Sequence, residues 1–479
     1  MFILKNNHLY TDSNTLREFL NSKNSDFGSW EDTQTLFSYF AQFGDGLGLS
    51  SQIVLFNIND QAAATGELQI LDDSGDYLSV NLNGEMVNGL GDVSVPAGGS
   101  LTFLTDGVGD LQTGSVQITT DRHVEGVVIF GADAFGLAGV GSSAEFPTSF
   151  TAPMLRSDSQ ELNTGIAVMS LSGEDSVLDL SLVDSDGVTL ATDWGVLVGQ
   201  GHDALFVDEF EWDPAVDLSE FSGTLVATSE QPLAGTVIQT LPGEFITMPV
   251  ASLQTGQQQL YFAQFADGLG ILSSQILLLN LSTDETATAQ IQLRNDAGEA
   301  LTVDLNGEQI TGSIQVQIAA SGLQELNTDG MGDLVTGSVS VTSDQPLAGV
   351  IVFKGEGIGS AGVGSSAEFA EGFLAPMENN VSTSIHTGVA MMNLEEEELT
   401  LTADLLASDG TLLDSAQLSL DPLGHVAIYL DQFDWDESID LNLFEGLLRV
   451  RSDGRISATV IQTRPGQFAT MPVAAKPLN

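Results

Sequence analysis

The chain has 479 residues, 42% of them hydrophobic, and sets 66 acidic against 12 basic side chains for a formal charge of −54. A surface of that sign excludes nucleic acid and anionic membranes as partners, because both are bound through Lys and Arg. No apolar run reaches the roughly 18–20 residues of a membrane helix, so no membrane insertion is expected. Cysteine is absent, which excludes disulfides, thiolate metal sites and a Cys nucleophile.

Residues 1–36 stand apart from the rest as an N-terminal arm. Phe2 to Leu4 is a short apolar run, and Asp12 to Thr15 is a helix-start pattern followed by Leu16, Phe19 and Leu20. Met1 to His8 lacks the apolar core of a signal peptide. Export by another route, a missing precursor segment, or residence inside a cell or virion is therefore expected. The plainer reading is an ordered cap or a disordered tail; the sharper alternative is an arm that docks on a neighbouring module by adding a strand to a sheet edge.

From Tyr39 onward the chain is an internal repeat. Gly139-Val140-Gly141-Ser142-Ser143-Ala144-Glu145-Phe146 returns 223 residues later as Gly362 to Phe369, and Tyr39-Phe40-Ala41-Gln42-Phe43 returns as Tyr261 to Phe265. A weaker echo subdivides each copy. Asp72-Asp73-Ser74-Gly75, Asp184-Ser185-Asp186-Gly187, Asn295-Asp296-Ala297-Gly298 and Ala407-Ser408-Asp409-Gly410 each follow a short alternating stretch. Such turns need a positive φ at glycine and predict hairpins.

The reading is all-β: four tandem immunoglobulin-like β-sandwich modules in an A-B-A-B order. The arm is 1–36; A1 is 37–149, B1 is 150–253, A2 is 259–372 and B2 is 373–475. Turn signals recur at the spacing of sandwiches, and the 51 glycines leave little room for helices. Short linkers at Phe150 to Met154 and Phe373 to Met377 predict a rod whose neighbouring modules touch.

Chemistry-bearing motifs are few. Gly357-Ile358-Gly359-Ser360-Ala361-Gly362 has the dinucleotide-loop spacing, but no helix pattern follows and Ala134 breaks the other copy, so a glycine-rich turn is expected. Ser142 and Ser143 lack a nucleophile elbow. His202 and His425 occupy equivalent positions without a second His at ligand spacing, and read as hydrogen-bonded residues at strand starts.

The acidic loops that follow them are the candidate metal site. Asp208, Glu211, Asp213 and Asp217 recur as Asp431, Asp434, Asp436 and Asp440, around Trp212 and Trp435. Hard oxygen ligands on a loop suit Ca²⁺, although the spacing is not that of an EF-hand. The plainer reading is a solvated acidic loop whose aromatic residues pack on the core. No catalytic residues and no other cofactor are assigned.

The Phe-Ala-Gln-Phe opening, the Thr-Asp-Gly-x-Gly-Asp-Leu run, the Pro-Leu-Ala-Gly strand and the endings Pro242 to Val250 and Pro465 to Val473 resemble repeat modules of secreted or cell-surface bacterial proteins. The resemblance covers nearly all of residues 37–473. It implies an immunoglobulin-like fold and an extracellular or cell-surface setting, and no activity.

The expectation is a non-enzymatic extracellular structural protein that self-associates: a filament subunit, surface-matrix component or adhesin stalk. The alternatives are a glycan- or ligand-binding surface module and a virion surface protein. A glycan platform needs exposed aromatics; Trp194 is replaced by Gln417 in the second copy, which leaves Trp212 and Trp435 as candidates.

Overall fold

The computed structural model describes residues 36–132, 136–143, 146–370 and 372–475. The arm read from residues 1–35 lies outside them. The described chain is all-β, built from antiparallel sheets with one short 3-10 turn at Leu430–Gln432.

The hydrogen-bond ladders fall into four blocks that follow the repeat. In the first, Leu36–Asp45 and Ala64–Leu71 pair with Gln112–Thr120 in one sheet, while Ser50–Asn57 pairs with Val124–Ala132 and Ser100–Leu104 in the other. In the second, Ser149–Ser157 and Ser176–Asp184 pair with Glu220–Ser229, and Leu162–Ser170 pairs with His202–Phe206 and Leu233–Leu241. Residues 257–369 and 372–475 repeat these two plans.

The four echo turns are hairpins, as their composition requires. Gly75, Gly187, Gly298 and Gly410 have φ between +81° and +83°, or +77° for Gly298, and each amide donates to the carbonyl three residues earlier. Their placement could not be read from spacing. Each turn is pushed against the next module in a cycle. A Cβ on Gly75 would stand 2.8 Å from the carbonyl of Gly199, and one on Gly187 1.9 Å from that of Ala320. One on Gly298 would stand 2.0 Å from the carbonyl of Pro422, and one on Gly410 2.1 Å from that of Ala97. The last contact runs from B2 back to A1. The modules therefore close into a ring, and the expected rod is corrected.

The ring closes because strands of the A modules are apolar on both faces. In Ser50–Asn57, Ile53 and Leu55 enter A1's own core, while Val54 and Phe56 enter clusters shared with B2. In the second copy, Ile276 and Leu278 face inward while Leu277 and Leu279 join the core of B1. A strand buried on both sides reads as a continuous apolar run rather than an alternating one. Left in a rod, A1 and B2 would each expose an apolar face; closure buries both.

The ring-closing junction and its covalently linked counterpart use the same positions with the partners exchanged. Ser222 of B1 donates to Glu325 of A2, whereas Thr102 of A1 donates to Glu445 of B2. Lys354 of A2 stands where A1 has Gly131, and the space beside Gly131 is taken by the guanidinium of Arg464 from B2, where B1 has Leu241. Burial away from water lowers the Lys354 pKa, against the pull of Glu325 and Glu244.

Candidate functional site

The motifs that recur most faithfully meet on the ring axis. Gly136–Gly141 and Gly359–Gly364 come from the A modules, and Glu244–Pro249 and Gln467–Met471 from the B modules. Thr247 donates to the Gly139 carbonyl at 2.8 Å, and Thr470 to that of Gly362 at 2.7 Å. A Cβ on Gly139 would meet Met471 at 2.7 Å, and one on Gly362 would meet Met248 at 2.6 Å. Each Thr-Met-Pro segment thus touches both A modules, and the glycines are there because nothing larger fits. Between the strands lies a cleft of about 400 Å³, lined by residues of all four modules including Ser143, Pro249, Ser366 and Pro472. Its walls are mostly apolar side chains and backbone. Among the described residues that line it, none carries a charged side chain.

The two histidines clamp A to B. His202 Nδ1 lies 2.9 Å from Asp73 Oδ1 and Nε2 3.3 Å from Gln42 Oε1, joining B1 to A1. His425 meets Asp296 at 2.9 Å and Gln264 at 3.2 Å in the same way. Both rings are 1% exposed. The expectation of hydrogen-bonded histidines at strand starts holds, and their partners explain the recurring Gln of the Phe-Ala-Gln-Phe opening and the Asp of the echo turn. The His425 hydrogen bond is the main force holding the Asp296 carboxyl below its usual range.

A carboxylate depressed in the folded state stabilises above its unfolded pKa of about 4 and stops doing so as pH falls through its lower folded value. His425→Ala is expected to cost about 2 kcal/mol in urea unfolding at pH 7. The advantage of the unaltered chain over Asp296→Asn should hold from neutrality to about pH 4 and vanish below it.

The acidic loops spread their carboxylates rather than gathering them in threes. Their eight carboxylates all lie at the surface, and those with partners serve the local chain. Asp208 accepts from Arg156 Nη2 at 3.1 Å and Asn163 Nδ2 at 2.8 Å; burial alone would raise its pKa, and these partners carry it below the usual range. Asp217 caps the amide of Ser219, Asp436 that of Ser438 and Asp440 that of Asn442. Asp213 forms a two-way backbone bridge with Thr192. Glu211, Asp431 and Asp434 point to solvent. Among the described residues no three His, Asp or Glu side chains are placed to hold an ion. In both copies the recurrent spacing puts carboxylates on backbone amides of their own loop, Asp217 in one and Asp436 and Asp440 in the other.

What the loops position is their tryptophan. Trp212 Nε1 donates to the Val207 carbonyl and Trp435 Nε1 to that of Leu430, both at 2.7 Å, with Phe210 and Phe433 packed beside them at 5.1 Å. Trp212 joins the B1 core and Trp435 packs on that of B2. Trp212 is buried and Trp435 half-buried. Among the described tryptophans, Trp194, which has no counterpart in the second copy, is the one on the surface, 68% exposed. It sits on the strand Thr189–Leu197 with Val196, across from Asp179 and Val177. The loss of Trp at position 417 was legible in the sequence; that Trp194 belongs to an apolar group needs the strand register.

No protein-family model matches this chain, and no curated protein does. Among solved structures, a glycoside hydrolase of family 32 from Bifidobacterium adolescentis aligns with 91% of this chain and 100% of its own at 8% identity. The TM-score is 0.14, and the likeness carries no argument.

Proposed function

We propose that this chain is a non-enzymatic structural protein of the cell exterior, acting as a closed four-module block in a filament or surface matrix rather than as an extended stalk. The observation that carries the reading is where the recurring motifs go. The axial glycines, the Thr-Met-Pro segments, the histidine clamps and the echo turns all serve junctions between modules. A chain that devotes its most repeated residues to holding its own parts together gains rigidity, which a load-bearing unit needs. The formal charge of −54 suits salty surroundings, where self-repulsion is screened.

Sedimentation and negative-stain microscopy of the purified full chain test the reading. Compact particles that join into ordered filaments or sheets as protein and salt concentrations rise are the expected result. Particles that stay single under all conditions would remove self-assembly.

A further inference from the structure

We propose that the outer hairpin of B1 is a self-association surface, where two copies of this chain pair edge to edge along the strand Thr189–Leu197. The inference deepens the assembly reading above and rests on it.

The second B module is a built-in control. On B1 the outward positions of this hairpin are Val177, Trp194 and Val196, with Val198 at its end, exposed by 47%, 68%, 57% and 44%. B2 has the same backbone register, with Thr400 facing Ser419 and Thr402 facing Gln417. The residues equivalent to the four on B1 are Thr400, Gln417, Ser419 and Asp421, all exposed and polar. The fold therefore does not need an apolar group here, yet B1 keeps four of them in a −54 chain. Contiguous exposed apolar residues of this kind mark an interaction surface.

The edge itself suits a second copy. Thr189–Leu197 is the terminal strand of its sheet. The acidic loop covers one end of it, where Thr192 and Asp213 exchange hydrogen bonds of 3.0 and 3.1 Å. Two residues and four residues further on, Trp194 and Val196 turn their backbone to the same side, where the loop no longer follows. The Trp194 amide is capped by Asp193 at 2.8 Å; Val196 lies beyond. No Lys or Pro guards the strand, the usual protection of an open edge.

Antiparallel pairing about Val196 would set it against its own mate in the second copy and Trp194 against Val198. Both are cross-strand pairs of the stabilising kind. Thr192, Trp194 and Val196 are uncharged, but Asp193 and Asp179 flank them and Asp175 caps Gly199, so pairing is expected to need salt to screen these carboxylates. The four side chains bury on the order of 400 Å² per copy, below the standard interface size, so the contact is weak and concentration-dependent.

The test is sedimentation equilibrium of the full chain from about 5 to 500 μM at low and high salt, with the emission of Trp194 followed in parallel. The comparison is the triple variant Val177→Thr, Trp194→Gln, Val196→Ser, which carries residues that B2 already accommodates in the same backbone. Circular dichroism and a melting curve check that it is folded. The unaltered chain is expected to dimerise with a dissociation constant on the order of 100 μM, more tightly in salt, and the variant at least tenfold more weakly. Equal assembly of both proteins would overturn the patch and leave the assembly reading standing. A monomeric unaltered chain at every concentration would overturn both. Trp194 emission that responds to a glycan panel and not to protein concentration would overturn self-pairing and assign the patch to glycan.

Discussion

Gly410→Ala is expected to open the ring. Gly410 has a φ of +83°, and a Cβ there would lie 2.1 Å from the Ala97 carbonyl, beside the 2.8 Å hydrogen bond from Ser100 to Ser408. The conformational cost is about 1–2 kcal/mol, and the clash adds roughly as much again because backbone cannot swing aside. Gly84→Ala separates the two contributions: its φ is +86°, but nothing lies within 4 Å of the added carbon. It should cost only the conformational share. B2 meets A1 without a connecting linker, so strain at Gly410 has an outlet that strain at Gly187 does not. X-ray scattering should give a larger radius of gyration for Gly410→Ala than for Gly187→Ala. Identical scattering and stability for Gly410→Ala and Gly84→Ala would mean that closure does not depend on this contact.

Asp404→Ala should be among the most damaging single substitutions in B2, at about 3 kcal/mol in urea unfolding at pH 7. The carboxylate is fully buried; it accepts from Ser415 at 2.7 Å, Arg449 at 2.7 and 2.9 Å and Arg451 at 3.0 Å. Burial pushes its pKa up, but the hydroxyl and two guanidinium groups outweigh this and leave it below the usual range. Its stabilisation is therefore complete above the unfolded carboxylate pKa of about 4 and fades as pH falls through the lower folded value.

B1 holds Ser181, Val226 and Thr228 at the corresponding places and folds the same way. The triple variant Asp404→Ser, Arg449→Val, Arg451→Thr removes the charges together and should lie within about 1 kcal/mol of the unaltered chain. Its loss of stability between pH 7 and pH 3 should also be smaller. A triple variant as unstable as Asp404→Ala would show that B2 packs around its charges in a way B1 does not.

The sequence by itself determined the all-β class, the 223-residue repeat and the echo turns, because these are local properties. Alternation at period two specifies a half-buried strand, and a short polar run ending in Gly specifies a turn with positive φ, wherever the segment ends up. It also contained a clue to closure. Ile53 to Phe56 and Ile276 to Leu279 run apolar without alternation, the pattern of a strand covered on both faces. For the first run the second cover comes from residues more than 300 positions away, as with Val54 and Met471, and for the second from the core of B1.

The candidate sites divide the same way. Spacing placed His202 and His425 at strand starts, but their partners Asp73 and Asp296 belong to neighbouring modules. The carboxylates of the acidic loops recur in both copies and do not converge, because recurrence in sequence fixes a loop's capping pattern and says nothing about whether side chains point to one centre. Only tertiary structure decided that the modules form a ring and that Trp194 stands outside the core. Both follow from which apolar surface another part of the chain covers, a matter of contacts between distant segments.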